Sequence, residues 1–290
     1  MKLAFTTLGC PEWTLRQIVE NAARMGYDAV DFRGLLEDVD ITARPEFTTG
    51  LEETRRMFAD HGVAISCLST SARYAVVDAR EREKHFDETR RYMALAARLG
   101  AGILRVFGGR VPEGYTVEAV TPVLVENLRQ MGDEAEQFDV TLALETHDDW
   151  TDSATLARVM AETDHPRVGV LWDLHHPFRT NGEAPEASYA NLAPYVVNTH
   201  VKDSVPGRAN SFPSDYRLEY SYVLVGQGDV PLRQMLDLLA QGGYDGYATL
   251  EWEKRWLPHL PEPELVFPEY VRQMREWFRR TSASAGHLRP

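Results

Sequence analysis

Short apolar runs alternate along this chain with segments whose apolar residues recur at helical spacing. The runs fall at residues 3–6, 27–32, 63–68, 103–107, 140–145, 168–173, 195–200 and 246–251. Each is brief and nearly continuous, as strands buried on both faces are. The first intervening segment is the clearest helix. Thr14 stands where an N-cap belongs, Leu15, Ile18, Val19, Ala22 and Ala23 follow on one face, and Gly26 stops the pattern. Leu51, Thr54, Arg55 and Phe58 predict a second helix ending at Gly62, and residues 86–99, rich in Ala and Arg, a third closed by Gly100. Val117, Val120, Leu124, Leu128 and Met131 form a fourth stripe, in which Pro122 predicts a kink or a late start. A fifth helix is expected over 153–161 with Ser153 as its cap, a faint one over 186–192, and clearer ones over 231–240 and 267–279. Residues 282–290 read as a frayed tail.

Strand-then-helix alternation implies an α/β protein with a parallel sheet. Eight such units imply closure into a (β/α)8 TIM barrel rather than an open doubly wound sheet. The expectation is one barrel domain over 1–280 followed by a tail over 281–290, and the 290-residue length suits a fold that typically takes about 250 residues. No Gly-x-Gly-x-x-Gly follows the first strand, and the Gly-Gln-Gly-Asp at 226–229 lacks the third glycine, which argues against a dinucleotide fold.

Four of the runs end in a metal-ligating side chain. They stop at Glu145, at Asp173 (with His176 three residues on), at His200 and at Glu251. A single strand-ending acid is ordinarily a helix cap or a solvated loop residue. Four on successive strands would share the C-terminal rim, where barrel enzymes carry their active sites. Three carboxylates and one imidazole make a hard, mostly oxygen donor set. It suits one Mn2+, Mg2+ or Co2+, and Zn2+ is also compatible.

Composition narrows the partners. A net charge of −13 argues against nucleic acid, whose binding relies on clustered Lys and Arg. Cys10 and Cys67 are too few for a disulfide framework, and Cys67 reads as a small buried strand residue. The chain contains neither a signal-type segment nor an apolar run long enough for a membrane, so a cytoplasmic protein with no membrane partner is expected.

The stretches VGVLWDLHH, NTHVKD, GQGDV and GYDGYATLEWE, with the opening GCPEWTLRQIVENAARMGYDAVDFR, resemble the xylose isomerase-like TIM barrels over about residues 1–280. That superfamily includes sugar-phosphate isomerases and epimerases, inosose dehydratases, ketose 3-epimerases and endonuclease IV. The resemblance implies that Glu145, Asp173, His200 and Glu251 hold one divalent metal, and that His176 contacts the substrate or a further metal. It implies a metal-dependent isomerase or epimerase of a small sugar, sugar phosphate or cyclitol, working through an enediolate. Glu145 and Glu251 would act as the catalytic pair from opposite faces. Loss of a β-hydroxyl on the same scaffold would make it an inosose-type dehydratase. An endonuclease IV-like phosphodiesterase is the remote alternative, because strands three and four end in Ser69-Thr70-Ser71 and Phe107-Gly108 where further zinc ligands would be needed. A non-catalytic sugar-binding barrel is another, disfavoured by the intact glutamate pair. Family members often form homo-oligomers, but no stretch here marks an interface.

Other residues keep two readings. His175 competes with His176, and the family spacing Asp-x-x-His favours the latter. Lys202 and Asp203 either touch substrate or pair with each other at a loop start. Arg33 and Arg105 either meet an anionic group or form structural ion pairs. Trp13 and Phe107 either wall a sugar pocket or belong to the rim of the core, and His147 lies just past its strand end. The long connection at 204–227 carries Arg208, Arg217, Tyr216, Tyr220 and Tyr222. It reads either as a cover over the site, with Arg208 binding substrate, or as a subunit contact.

Overall fold

The alternation closes on itself in the computed structural model, which describes residues 1–207 and 219–286, with side chains through 279. The barrel strands are β1 (Lys2–Thr6), β2 (Ala29–Phe32), β3 (Ala64–Arg73), β4 (Ile103–Phe107), β5 (Thr141–Glu145), β6 (Val168–Asp173) and β7 (Val196–Val201). A hairpin of β8 (Asp203–Pro206) and β9 (Tyr220–Val223) follows, and β10 (Tyr247–Leu250) completes the ring. The order around the barrel is β1-β10-β7-β6-β5-β4-β3-β2, all pairs parallel. β1 pairs with both β2 and β10, so no barrel edge is left open. The antiparallel hairpin stands outside the ring and was not foreseen from the apolar pattern.

Around the strands lie α1 (Leu15–Met25), α2 (Leu51–His61), α3 (Ala79–Leu99), α4 (Val117–Glu136), α5 (Ser153–Thr163), α6 (His176–Asn181), α7 (Pro185–Leu192), α8 (Leu232–Gln241) and α9 (Pro263–Gly286). The Thr14 cap of α1 is a full capping box with Gln17, and Gly26 ends the helix at φ +85°, a conformation that costs glycine little. The cap of α5 is Asp152, not Ser153: its carboxylate accepts from the Thr155 N–H at 2.7 Å, while the Ser153 hydroxyl bonds Glu183. α3 starts seven residues before the predicted 86, because Asp78 caps the N–H groups of Arg80 and Glu81 at 2.9 Å each. Its charged first turns hide the apolar stripe. α4 begins at Val117 under a Thr116 cap and carries Pro122 inside it. α9 starts before the predicted 267 and continues through Gly286, into the expected tail.

The seam where β1 meets β10 is covered by α9. Phe267 packs on Phe5 at 4.5 Å between ring centroids, Tyr27 donates its hydroxyl to the Phe267 carbonyl, and Tyr270 donates to the Ala248 carbonyl. Phe5, Phe267 and Tyr270 are almost fully buried, so the last helix is part of the core. Among the described residues no helix is long and apolar enough to cross a membrane.

Candidate metal centre and active site

Glu145 is the last residue of β5, Asp173 the last of β6, His200 lies near the end of β7, and Glu251 directly follows β10. β7 stands between β6 and β10 in the ring, so these residues rise from one side of the barrel mouth. One ligand atom from each lies within 4.8 Å of all the others, and all four side chains are buried. His200 Nδ1 is 3.1 Å from Glu145 Oε1 and 3.2 Å from Glu251 Oε1.

The ring of His200 is fixed from across the barrel. Its Nε2 lies 3.2 Å from Asp31 Oδ2, and the other oxygen of Asp31 accepts from the Ser69 hydroxyl at 2.7 Å. An N–H at Nε2 donates to Asp31, and Nδ1 faces the two glutamates, where it would become a metal ligand on losing its own proton. Asp31 was missed in the sequence; its signal is a charged residue inside an otherwise apolar strand.

Asp173 is held by one oxygen only. Oδ1 accepts the N–H groups of His175 and His176 at 2.8 and 3.1 Å. Oδ2 is buried beside Lys202 Nζ at 2.9 Å, yet it accepts no aligned hydrogen bond. A buried carboxylate oxygen left in this state, beside two more carboxylates and an imidazole nitrogen turned toward them, fits a divalent cation.

The electrostatics follow from crowding. Burial pushes the Glu145 carboxyl up, but Arg105, with Nη1 at 3.4 Å, and His200 outweigh it and hold the group down at about 2. Glu251 also feels burial, and His200 and Lys202 keep it well below the usual carboxylate range. Asp173 is raised to about 6, chiefly by burial against the opposing pull of Lys202. Burial works against a proton on His200, yet Glu251, Asp31 and Glu145 hold it well above the ordinary histidine value.

The remaining expected residues divide. Lys202 does not pair with Asp203. Its buried ammonium reaches Asp173, Glu251 Oε2 at 2.5 Å and Glu253 Oε1 at 2.9 Å. Glu253 in turn accepts from the Tyr222 hydroxyl at 2.8 Å, which links the hairpin to the site. Glu253 was also missed, though it lies two residues past Glu251. Asp203 accepts the N–H groups of Gly226 and Gly228 at 2.9 Å each, so the Gly-Gln-Gly turn is wrapped around its carboxylate. His176 donates Nδ1–H to the Thr146 carbonyl at 2.8 Å, leaving Nε2 available, and burial with nearby Lys202 keeps it neutral. His175 turns away: its Nε2 meets Ser204 Oγ at 2.9 Å and its ring packs on Tyr220. His147 packs between Phe107 and His176 at 4.7 and 4.9 Å. Trp13 is only 6% exposed, packed on Phe267 with its indole N–H on Glu264. Arg208, Tyr216 and Arg217 lie outside the described residues.

Residues 19–281 match the family described as xylose isomerase-like TIM barrel. The chain is 21% identical to a fructoselysine 3-epimerase of Escherichia coli O157:H7, over 96% of this chain and 98% of that one. It superposes on a probable 3-DHS dehydratase, AsbF, of petrobactin synthesis in Bacillus anthracis with a TM-score of 0.78 at 17% identity, covering 95% of this chain and 99% of that one. It superposes on the IOLI protein with a bound zinc atom with a TM-score of 0.76 at 18% identity, covering 98% and 99%.

Proposed function

This chain belongs to the xylose isomerase-like TIM barrel family, and we propose that it is a divalent-metal-dependent isomerase or epimerase acting on a small polyhydroxylated carbonyl compound through an enediolate. The observation that supports this reading is the pair Glu145 and Glu251, flanking His200 Nδ1 at 3.1 and 3.2 Å inside a buried donor set completed by Asp173. The sugar epimerase among the relatives points the same way. Glu145, Asp173, His200 and Glu251 would hold the cation; when bound, it would supply Lewis acidity that polarises a carbonyl and stabilises negative charge on oxygen.

The chain's own groups would do the proton work. Both glutamates are held ionised, by Arg105 and His200 on one side and by His200 and Lys202 on the other, as proton acceptors must be. One removes the proton from the carbon beside the carbonyl, and the other returns one from the opposite face after taking it up itself, which Glu251 can do from the Lys202 ammonium 2.5 Å away. A neutral His176 with its Nδ1–H engaged offers Nε2 to a substrate hydroxyl and orients it. Burial of the whole set strengthens each of these interactions.

Elimination of water on the same scaffold is the second reading. It is supported by the Lys202 ammonium lying against Glu251, where it can hydrogen-bond a departing hydroxyl, and by the dehydratase among the structural neighbours.

Incubation with Mn2+ and a panel of ketoses, hydroxypyruvate and inososes in D2O tests the proposal. Deuterium read by NMR is expected beside a carbonyl, and a Glu145→Gln variant is expected to lower its rate by at least about 100-fold, as loss of a general base does. Label on a carbon without loss of water supports epimerisation or isomerisation, and loss of water supports the dehydratase. No label from any compound with metal bound would sink the enediolate reading.

A further inference from the structure

Arg33 is a buried cation with no ion-pair partner among the described residues; Glu251 and Glu88 act on it only from beyond ion-pair distance. It follows β2 directly, is 9% exposed, and its Nη1 is enclosed without a hydrogen bond. Among the described residues no side chain forms an ion pair with its guanidinium; only its backbone N–H is used, by Thr7 Oγ1. Arginine cannot shed its charge at working pH and carries five N–H donors, so an enclosed guanidinium with no acceptor is strongly disfavoured unless something else supplies the anion.

The direction of the side chain follows from strand alternation. Asp31 points into the barrel, because it contacts His200, whereas Phe32 points outward onto Phe47 and Phe58. Arg33 shares the face of Asp31, one level nearer the mouth. Arg105 on β4 also points inward, toward Glu145, and its guanidinium stacks on Phe107 at 3.9 Å. It is 1% exposed, its Nε and Nη1 donate no hydrogen bond, and among the described residues its ion pair is the 3.4 Å contact with Glu145. The two guanidiniums are near enough to repel: burial, then the charge of Arg105, bring Arg33 down to about 10.

The mouth is therefore polar in two senses. Carboxylates and His200 crowd the side formed by β5, β6, β7 and β10, and two under-compensated guanidiniums stand on the side of β2 and β4. We propose that Arg33 and Arg105 receive a carboxylate of the substrate, so that this enzyme acts on an acidic polyol, a sugar keto acid or a carboxylated cyclitol, in preference to a neutral sugar. The flat guanidinium fork matches a planar carboxylate. The carbonyl end of such a molecule would then face the glutamate pair while its acid end is held across the mouth. This inference rests on the function proposed above for the substrate's other end, but binding tests it separately.

The test is calorimetric titration of the protein with Mn2+ present, using matched compounds: 5-keto-D-gluconate against D-fructose, quinate against myo-inositol, and D-fructose 6-phosphate. Each acid is expected to bind at least about tenfold more tightly than its neutral match, the gain typical of a charge-assisted bond. Arg33→Gln is expected to abolish the ratio while leaving Mn2+ affinity unchanged. The ligand-free Arg33→Gln protein is expected to melt at the same or a higher temperature, because an unpaired buried charge has been removed. Equal binding of acids and neutral compounds, a ratio unaffected by Arg33→Gln, or a lowered melting temperature for the variant would each overturn the proposal. Tighter binding of the phosphate than of the carboxylates would overturn the carboxylate assignment. Acids that bind with the expected ratio yet exchange no deuterium would leave this inference standing and refute the enediolate reading; neutral sugars that exchange without any acid preference would do the reverse.

Discussion

Asp31 touches no proposed substrate, yet the orientation of His200 depends on it. The 3.2 Å contact from Nε2 directs Nδ1 toward Glu145 and Glu251, and Ser69 keeps the aspartate from swinging away. Replacing such an outer partner of a metal ligand ordinarily weakens metal affinity by about 10- to 100-fold. Asp31→Asn is therefore expected to raise the Mn2+ dissociation constant by that factor, read by calorimetry, with a circular dichroism spectrum that does not change. The same substitution with unaltered Mn2+ affinity would mean that His200 is oriented by the glutamates alone. Residue-level reading of the sequence reached the four residues that cluster at the barrel mouth because each ends an apolar run. It passed over Asp31, whose partner is 169 positions away.

At the scale of elements, the hairpin of β8 and β9 connects the barrel rim to the site. Asp203 anchors its base by accepting the N–H groups of Gly226 and Gly228, and Tyr222 extends the connection to Glu253. Gly228 is required there by close approach: a Cβ at that position would lie 2.0 Å from Asp203 Oδ1. Gly228→Ala is expected to destabilise the protein by about 1–3 kcal/mol, the usual range for overpacking a filled site. It should also loosen Lys202, whose partner Glu253 the hairpin supports. The checks are denaturant unfolding and the rate of deuterium exchange into substrate. A variant as stable and as active as the parent would show that the turn has room to shift. The strands and most helices were legible because apolar periodicity and caps are local signals. The hairpin was not, since its short strands alternate too briefly to stand out in a long polar connection.

For the whole molecule, the ligand set joins four neighbouring strand ends, from β5, β6, β7 and β10, into one centre. An ion bound only by the folded barrel stabilises it by mass action, by about 2.7 kcal/mol at 100 times the dissociation constant. The protons held there oppose loading. His200 is raised well above the ordinary value and Asp173 to about 6, so both carry protons in mild acid that the cation must displace. Affinity therefore rises with pH. Mn2+ is expected to raise the melting temperature clearly at pH 8 and much less at pH 5.5, and a chelator should reverse the gain. A metal-induced shift independent of pH would contradict the protonation states assigned to these two residues.

The order of the barrel strands and most of the helices, the barrel class and the four residues at the strand ends were determined by the sequence alone. Burial on both faces forces continuous apolar runs, and an acid at the end of such a run is conspicuous in one dimension. Tertiary structure decided what no local pattern encodes. It brought Asp31 of β2 against His200 of β7, joined Lys202 to three carboxylates, and turned His175 to the hairpin while His176 kept a free nitrogen. It also covered Arg33 while giving its guanidinium no ion pair among the described residues. These are consequences of ring closure, which sets side chains far apart in the chain on one inner face, where charge must be balanced by whatever that closure brings near.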